Sequence, residues 1–148
     1  MRLEEIMTTN VETAAPGDQA EDAWRRMRDS RIHHLAVVEG GKVVGVISGR
    51  DLGGPRGSAL RADRTVGDLM THRTVSAKPT TTLRQAANLM RGYSVGCLPV
   101  LDGGRLQGIV TVSDLLELLG RGVERPVETT QRKTLKDRGP RRRPGAPR

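Results

Sequence analysis

Two stretches of this chain place a hydroxyl and a carboxylate at one fixed spacing behind a glycine. The first is Gly45-Val46-Ile47-Ser48-Gly49-Arg50-Asp51 and the second is Gly108-Ile109-Val110-Thr111-Val112-Ser113-Asp114. The apolar run before each hydroxyl reads as a strand, and the acid three positions later reads as the first turn of a helix. A strand breaking into a helix leaves backbone N–H groups for a phosphate. Ser48 or Thr111 would stand beside that phosphate. Asp51 or Asp114, as an ionised carboxylate, could accept both hydrogens of a ribose cis-diol. Gly45 or Gly108 would let a flat group approach the backbone. Ribose, phosphate and base together describe a nucleotide. An ordinary helix start explains the same residues, with the hydroxyl capping and the acid meeting the helix dipole. Spacing alone leaves both explanations open.

The two stretches are 63 residues apart, and that shift holds well beyond them. Residues 7–52 align with 70–115 without a gap, and 14 of the 46 pairs are identical. Unrelated chains of this composition would share roughly 6–7%. The chain is therefore an internal tandem repeat. A period this long, present twice, suits two small units covering each other's apolar faces better than a solenoid.

Each copy predicts the order β-α-β-β-α. Short strands are expected at 11–13 and 74–76, each before a turn with Pro16 or Pro79. Helices follow, with Ala20, Ala23, Trp24 and Met27 in one and Leu83, Ala86, Ala87 and Met90 in the other at i, i+3, i+4, i+7. Asp18 with Glu21, and Thr82 with Gln85, have the spacing of a capping box. Trp24 fits a core or an interface equally well. Strands at 35–38 and 98–101 lead through Gly40-Gly41 and Gly103-Gly104 hairpins into strands at 43–48 and 105–111. Short helices are expected from Asp51 onward and over 113–119, with 53–66 read as a surface linker. The expected units are repeat one at 3–53, a linker at 54–66, repeat two at 67–119 and a disordered tail at 120–148.

Bulk properties narrow the function. There is no Phe, one Trp and one Tyr, so the core must be aliphatic. The single cysteine, Cys97, rules out an intrachain disulfide and a cysteine metal cluster. Adjacent His33 and His34 face opposite ways on a strand, so no metal site is expected. No constellation for covalent or acid–base catalysis stands out, and the chain is read as no enzyme. No long apolar run and no secretory signal occur, which suggests a cytoplasmic protein away from membranes. The formal net charge of +8 belongs to the tail, where residues 121–148 hold 10 Lys/Arg against 3 Asp/Glu. Such a tail is commonly a solubilising end, and any contact with nucleic acid would be an accessory role confined to it, with steep salt dependence.

These residues closely resemble the CBS domain pair, or Bateman module. The resemblance is carried by Ile6-Met7-Thr8 and Leu69-Met70-Thr71, by His34-Leu35-Ala36-Val37-Val38 and Cys97-Leu98-Pro99-Val100-Leu101, and by the two Gly-x-x-Ser/Thr-x-x-Asp endings. It covers residues 3–119. It implies an α+β fold in which the repeats pack as a pseudo-twofold pair around a cleft, commonly as a homodimer of modules. It also implies a regulatory adenosine-containing ligand, such as an adenine nucleotide or S-adenosylmethionine, with no cofactor required, and a separate regulated protein partner. By position, Asp51 and Asp114 would hold ribose, and Ser48, Arg50 and Thr111 the phosphate side. Val11, Thr13, His34, Ala36, Gly45 and Val46 would line the base in one copy, matched by Thr74, Ser76, Cys97, Pro99, Gly108 and Ile109. Ser113 stands where the first copy has Arg50, so the two sites should be unequal. Which opening strand serves which aspartate stays open.

Overall fold

The structure, a computed structural model, describes residues 1–72 and 74–122. The expectation of a disordered tail falls on residues outside that range, apart from its first three. Residues Met1–Leu116 form one compact unit. In the second unit, Glu117–Arg148, the described part closes a helix and pairs Arg121 with Glu117 one turn apart.

The first copy supplies β1 (Thr13–Ala14), α1 (Ala20–Ser30), β2 (His34–Glu39) and β3 (Lys42–Ser48). β1 runs parallel to β2, and β2 antiparallel to β3, as a three-stranded sheet. The second copy supplies α4 (Leu83–Tyr93), β4 (Cys97–Asp102), β5 (Arg105–Thr111) and α5 (Val112–Gly120). Between them lie α2 (Ser58–Arg61) and α3 (Val66–Leu69). The expected strand at 74–76 shrinks to one parallel bridge between Ala77 and Val100. Both hairpins turn on paired glycines in the left-handed region, Gly40 and Gly41 at φ 58° and 77°, Gly103 and Gly104 at 58° and 80°.

Local chemistry explains where the elements begin. Thr82 caps α4, accepting from the Gln85 N–H at 3.2 Å while Gln85 accepts from the Thr82 N–H at 3.0 Å. The other expected box does not form. Helix α1 starts after Gln19, the Asp18 carboxylate instead accepts from the Ala15 N–H at 2.9 Å, and Glu21 turns to Arg61.

Two further expectations are corrected. No helix follows Asp51, because Gly53 and Gly54 take φ of 85° and 66° and Pro55 follows them. The chain makes a turn and then a short 3-10 segment at Gly54–Arg56. Nor is the linker only surface. Gly57 sits where a Cβ would lie 2.5 Å from the Leu52 carbonyl oxygen, and Arg61 and Val66 are buried.

The core is aliphatic and divided in two. Ala20, Ala23, Met27, Leu35, Val37 and Ile47 form one cluster, to which Val66 belongs and on which Leu69 and Met70 pack. Ala86, Met90, Leu98, Val100 and Val110 form the other, which takes Leu3 into its interior with Ile6 and Met7 beside it. Each copy thus gives its opening segment to the other copy's core. Backbone bonds fix the exchange: Leu3 N–H to Thr81 at 2.8 Å and Glu4 N–H to Pro79 at 3.0 Å, mirrored by Val66 N–H to Asp18 and Gly67 N–H to Pro16, both at 2.8 Å.

Candidate functional site

The exchange decides which residues meet. Thr8 pairs with Ile109 of β5, and Thr71 with Val46 of β3, each through two backbone bonds of 2.9–3.1 Å. The opening segment of one copy is therefore laid beside the Gly-x-x-Ser/Thr-x-x-Asp ending of the other. Two cavities result, one on each side.

The first cavity, about 1060 Å³, is lined by Ser48, Arg50 and Asp51 of the first copy and by Thr74 and Val75 of the second. His33, His34, Val46 and Cys97 also line it, as do Trp24, Tyr93 and the neighbouring 94–96 run. The second, about 340 Å³, is lined by Val11 and Glu12 of the first copy and by Ile109, Thr111, Ser113 and Asp114 of the second. His33 and His34 form a wall common to both. The pairing that the sequence left open is thus crossed: Thr74 and Val75 share a cavity with Asp51, and Val11 and Glu12 share one with Asp114.

Each hydroxyl and acid form a reciprocal pair. The Ser48 N–H donates to Asp51 Oδ2 at 2.9 Å, and the Asp51 N–H donates to Ser48 Oγ at 3.1 Å. Thr111 and Asp114 repeat this at 2.8 and 3.2 Å. The capping explanation is therefore real, and it does not exhaust the groups. A carboxylate has about four acceptor positions, and a hydroxyl that accepts can still donate its own proton. The phosphate argument from a helix start is weaker for Ser48, since a turn follows: the Leu52, Gly53 and Gly54 N–H groups bond to Ser48, Arg50 and Gly49 carbonyls. The guanidinium that lines the cavity there is Arg50.

Other expected base-lining residues are used elsewhere. Gly45 and Gly108 are closed off by the other copy's opening segment. A Cβ on Gly45 would lie 2.7 Å from the Thr71 carbonyl oxygen, and one on Gly108 would lie 2.7 Å from Met7 Sδ. Those glycines serve the close approach of protein to protein. Ala36 and Pro99 are fully buried in their strands, and neither they nor Thr13 and the exposed Ser76 line either of these two cavities.

Electrostatics distinguish the two strand-start residues. Burial, helped by the His33 charge, holds His34 below its ordinary pKa of 6.5, while Asp51 and Asp114 pull the other way. Burial, and secondarily the Asp114 charge, pushes the Cys97 thiol up to about 12, so it carries no thiolate at neutral pH. Among the described residues, no group of three or more His, Cys, Asp or Glu is placed to hold a metal ion.

Arg61 was invisible as a site residue in the sequence. Its guanidinium lies 4.6 Å over the Trp24 ring, pairs with Glu21 at 2.7 Å and donates to the Leu52 and Gly54 carbonyls at 2.8 and 2.7 Å. It braces the turn that carries Arg50 and Asp51. Its only sequence signal is a position in the linker, outside the repeat.

Known proteins are similar to this chain in sequence and in fold. The chain is 31% identical over 114 residues to the CBS domain-containing protein YhcV of Bacillus subtilis, covering 76% of this chain and 81% of that protein. It is 34% identical over 115 residues to an inosine-5'-monophosphate dehydrogenase of Korarchaeum cryptofilum, matching 77% of this chain and spanning about a quarter (23%) of the enzyme. Among solved structures, the CBS domain pair of protein MJ0100, in complex with 5'-methylthioadenosine and S-adenosyl-L-methionine, superposes with a TM-score of 0.74 at 26% identity, over 82% of this chain and 97% of that one. CBSX2 in complex with AMP superposes with a TM-score of 0.70 at 26% identity, over 83% and 98%. The CBS domain model matches residues 3–52 and again 66–121, and with both copies present in a crossed pair the chain belongs to the CBS domain family.

Proposed function

We propose that this chain is a regulatory module whose first cavity takes an adenosine-containing ligand. One observation carries the reading: Ser48, Arg50 and Asp51 of one copy converge with Thr74 and Val75 of the other on a single cavity. Its volume, about 1060 Å³, lies just above the upper end of the range of small-molecule sites, about 300–1,000 Å³, so it has room for a ligand of nucleotide size. In this reading Asp51 accepts the ribose hydroxyls, Ser48 donates to the phosphate side, Arg50 supplies the counter-charge, and Thr74 with Val46 and Val75 borders the base. The ligands held by MJ0100 and CBSX2 support the adenosine part.

Such a ligand touches both copies, so it favours one relative arrangement of them and alters the surface offered to a partner. The output lies with a separate protein, and the module acts as a cytoplasmic homodimer without catalysing a reaction. Among the described residues no helix is long and apolar enough to cross a membrane.

Calorimetric titration with AMP, ATP and S-adenosylmethionine tests the reading. Asp51→Asn keeps an acceptor for the Ser48 N–H yet loses the charge, and should weaken binding roughly ten- to hundredfold, the worth of about 1.5–3 kcal/mol for hydrogen bonds to a charged group. The complete caps at Ser48–Asp51 and Thr111–Asp114 favour a second reading, a purely structural module. A folded protein giving no heat with any of these ligands would select it.

A further inference from the structure

We propose that the nucleotide enters the first cavity alone, and that Glu12, Arg26 and Ser30 are the specificity residues that bar it from the second. This rests on the function proposed above and goes beyond it by assigning the exclusion to three side chains.

Under the 63-residue shift, Glu12, Arg26 and Ser30 correspond to Val75, Leu89 and Tyr93. Val75 and Tyr93 line the first cavity, and Val75 and Leu89 pack against the second core cluster. Their counterparts are polar at all three positions and are joined in one network. Ser30 Oγ donates to Glu12 Oε1 at 2.7 Å, Arg26 Nη2 lies 3.8 Å from Glu12 Oε2, and Arg26 donates to the Thr13 carbonyl at 2.8 Å. Glu12 and Ser30 line the second cavity.

Two physical effects follow. A flat base gains by lying on apolar surface, as Val75 offers; against Glu12 it would have to strip water from a carboxylate. A phosphate would meet two carboxylates, Glu12 and Asp114, against Arg31 as the one guanidinium in the lining, whereas the lining of the first cavity sets Arg50 against Asp51 alone. The second cavity is also a third of the volume of the first.

The test is the stoichiometry of AMP binding by calorimetry on the full chain. The wild type should bind one equivalent per chain, Asp51→Asn should weaken that binding roughly ten- to hundredfold, and Asp114→Asn should leave it unchanged. Replacing the lining residue Glu12 and its ion-pair partner by their counterparts in the other copy, Glu12→Val with Arg26→Leu, should raise the stoichiometry to two. Glu12→Val alone serves if the double variant melts prematurely, and should reveal a weaker second site. Two equivalents in the wild type, a loss of binding in Asp114→Asn, or a folded Glu12→Val variant still at one equivalent would overturn the assignment. Absence of any binding by the wild type would instead overturn the adenosine reading beneath it.

Discussion

His34 forms with His33 the wall that the two cavities share, and its chemistry sets a pH dependence. Its folded pKa is depressed by burial and by His33, against the opposing pull of Asp51 and Asp114. The folded state therefore binds this proton less readily than the unfolded chain does. The associated stability is complete above the unfolded value of 6.5 and is lost as pH falls through the lower folded value. Urea unfolding at pH about 7.5 and about 5.5 should show a falling midpoint in the wild type. His34→Gln, which cannot titrate, should fall less over the same interval. Equal losses in both proteins would remove His34 as the source. The sequence disclosed this residue as a candidate through the resemblance to the CBS pair, which places His34 by position among the base-lining residues. It could not disclose the common wall, which arises only when both copies are assembled.

Among the elements, hairpins, cap and helical stripes were legible because their signals are local. Gly40-Gly41, Thr82-Gln85 and the Ala20 to Met27 spacing each act within one turn or one helix. The helix expected after Asp51 failed for an equally local reason, the Gly53-Gly54-Pro55 run, whose left-handed glycines and proline outweigh the analogy with the second copy. Arg61 was illegible because its role is tertiary: one arginine among 21 carries no mark of being 3% exposed. Its brace makes a definite prediction. Arg61→Met leaves the Leu52 and Gly54 carbonyls without their donor, at about 1–3 kcal/mol for a buried polar group left unsatisfied. Glu21, being half exposed, can return to water and adds little. Denaturant unfolding should register this loss, and emission from Trp24, the sole tryptophan, should change as its stacked cation goes. Arg61→Lys should recover only part, since an ammonium cannot reproduce the planar fork that reaches Glu21 and two carbonyls at once. A fully stable Arg61→Met variant would show that the turn holds itself.

For the whole compact unit, the exchange of opening segments matters more than either repeat alone. A 63-residue shift identifies equivalent residues but is blind to which core they enter, because Leu3 and Val66 look the same to an alignment wherever they pack. The physical units are therefore not the sequence units: residues 3–7 complete the core of Ala86, Met90, Leu98 and Val110, while 66–70 complete that of Ala23, Met27, Leu35 and Ile47. The same crossing lays Thr74 beside Asp51, so the cavity and the cores share one cause. A cut between the copies at residue 53 would leave the first without Val66 and the second without Leu3. Leu3→Ala tests this directly. Leu3 is fully buried, and its truncation should cost about 2–5 kcal/mol. Hydrogen exchange should locate the loosening at a distance in sequence, in α4 and the β4–β5 hairpin, with α1 and β2 less affected. Loosening confined to α1 and β2 would mean that the opening segment serves its own copy. The crossed cavity would then lose its basis along with the crossed core.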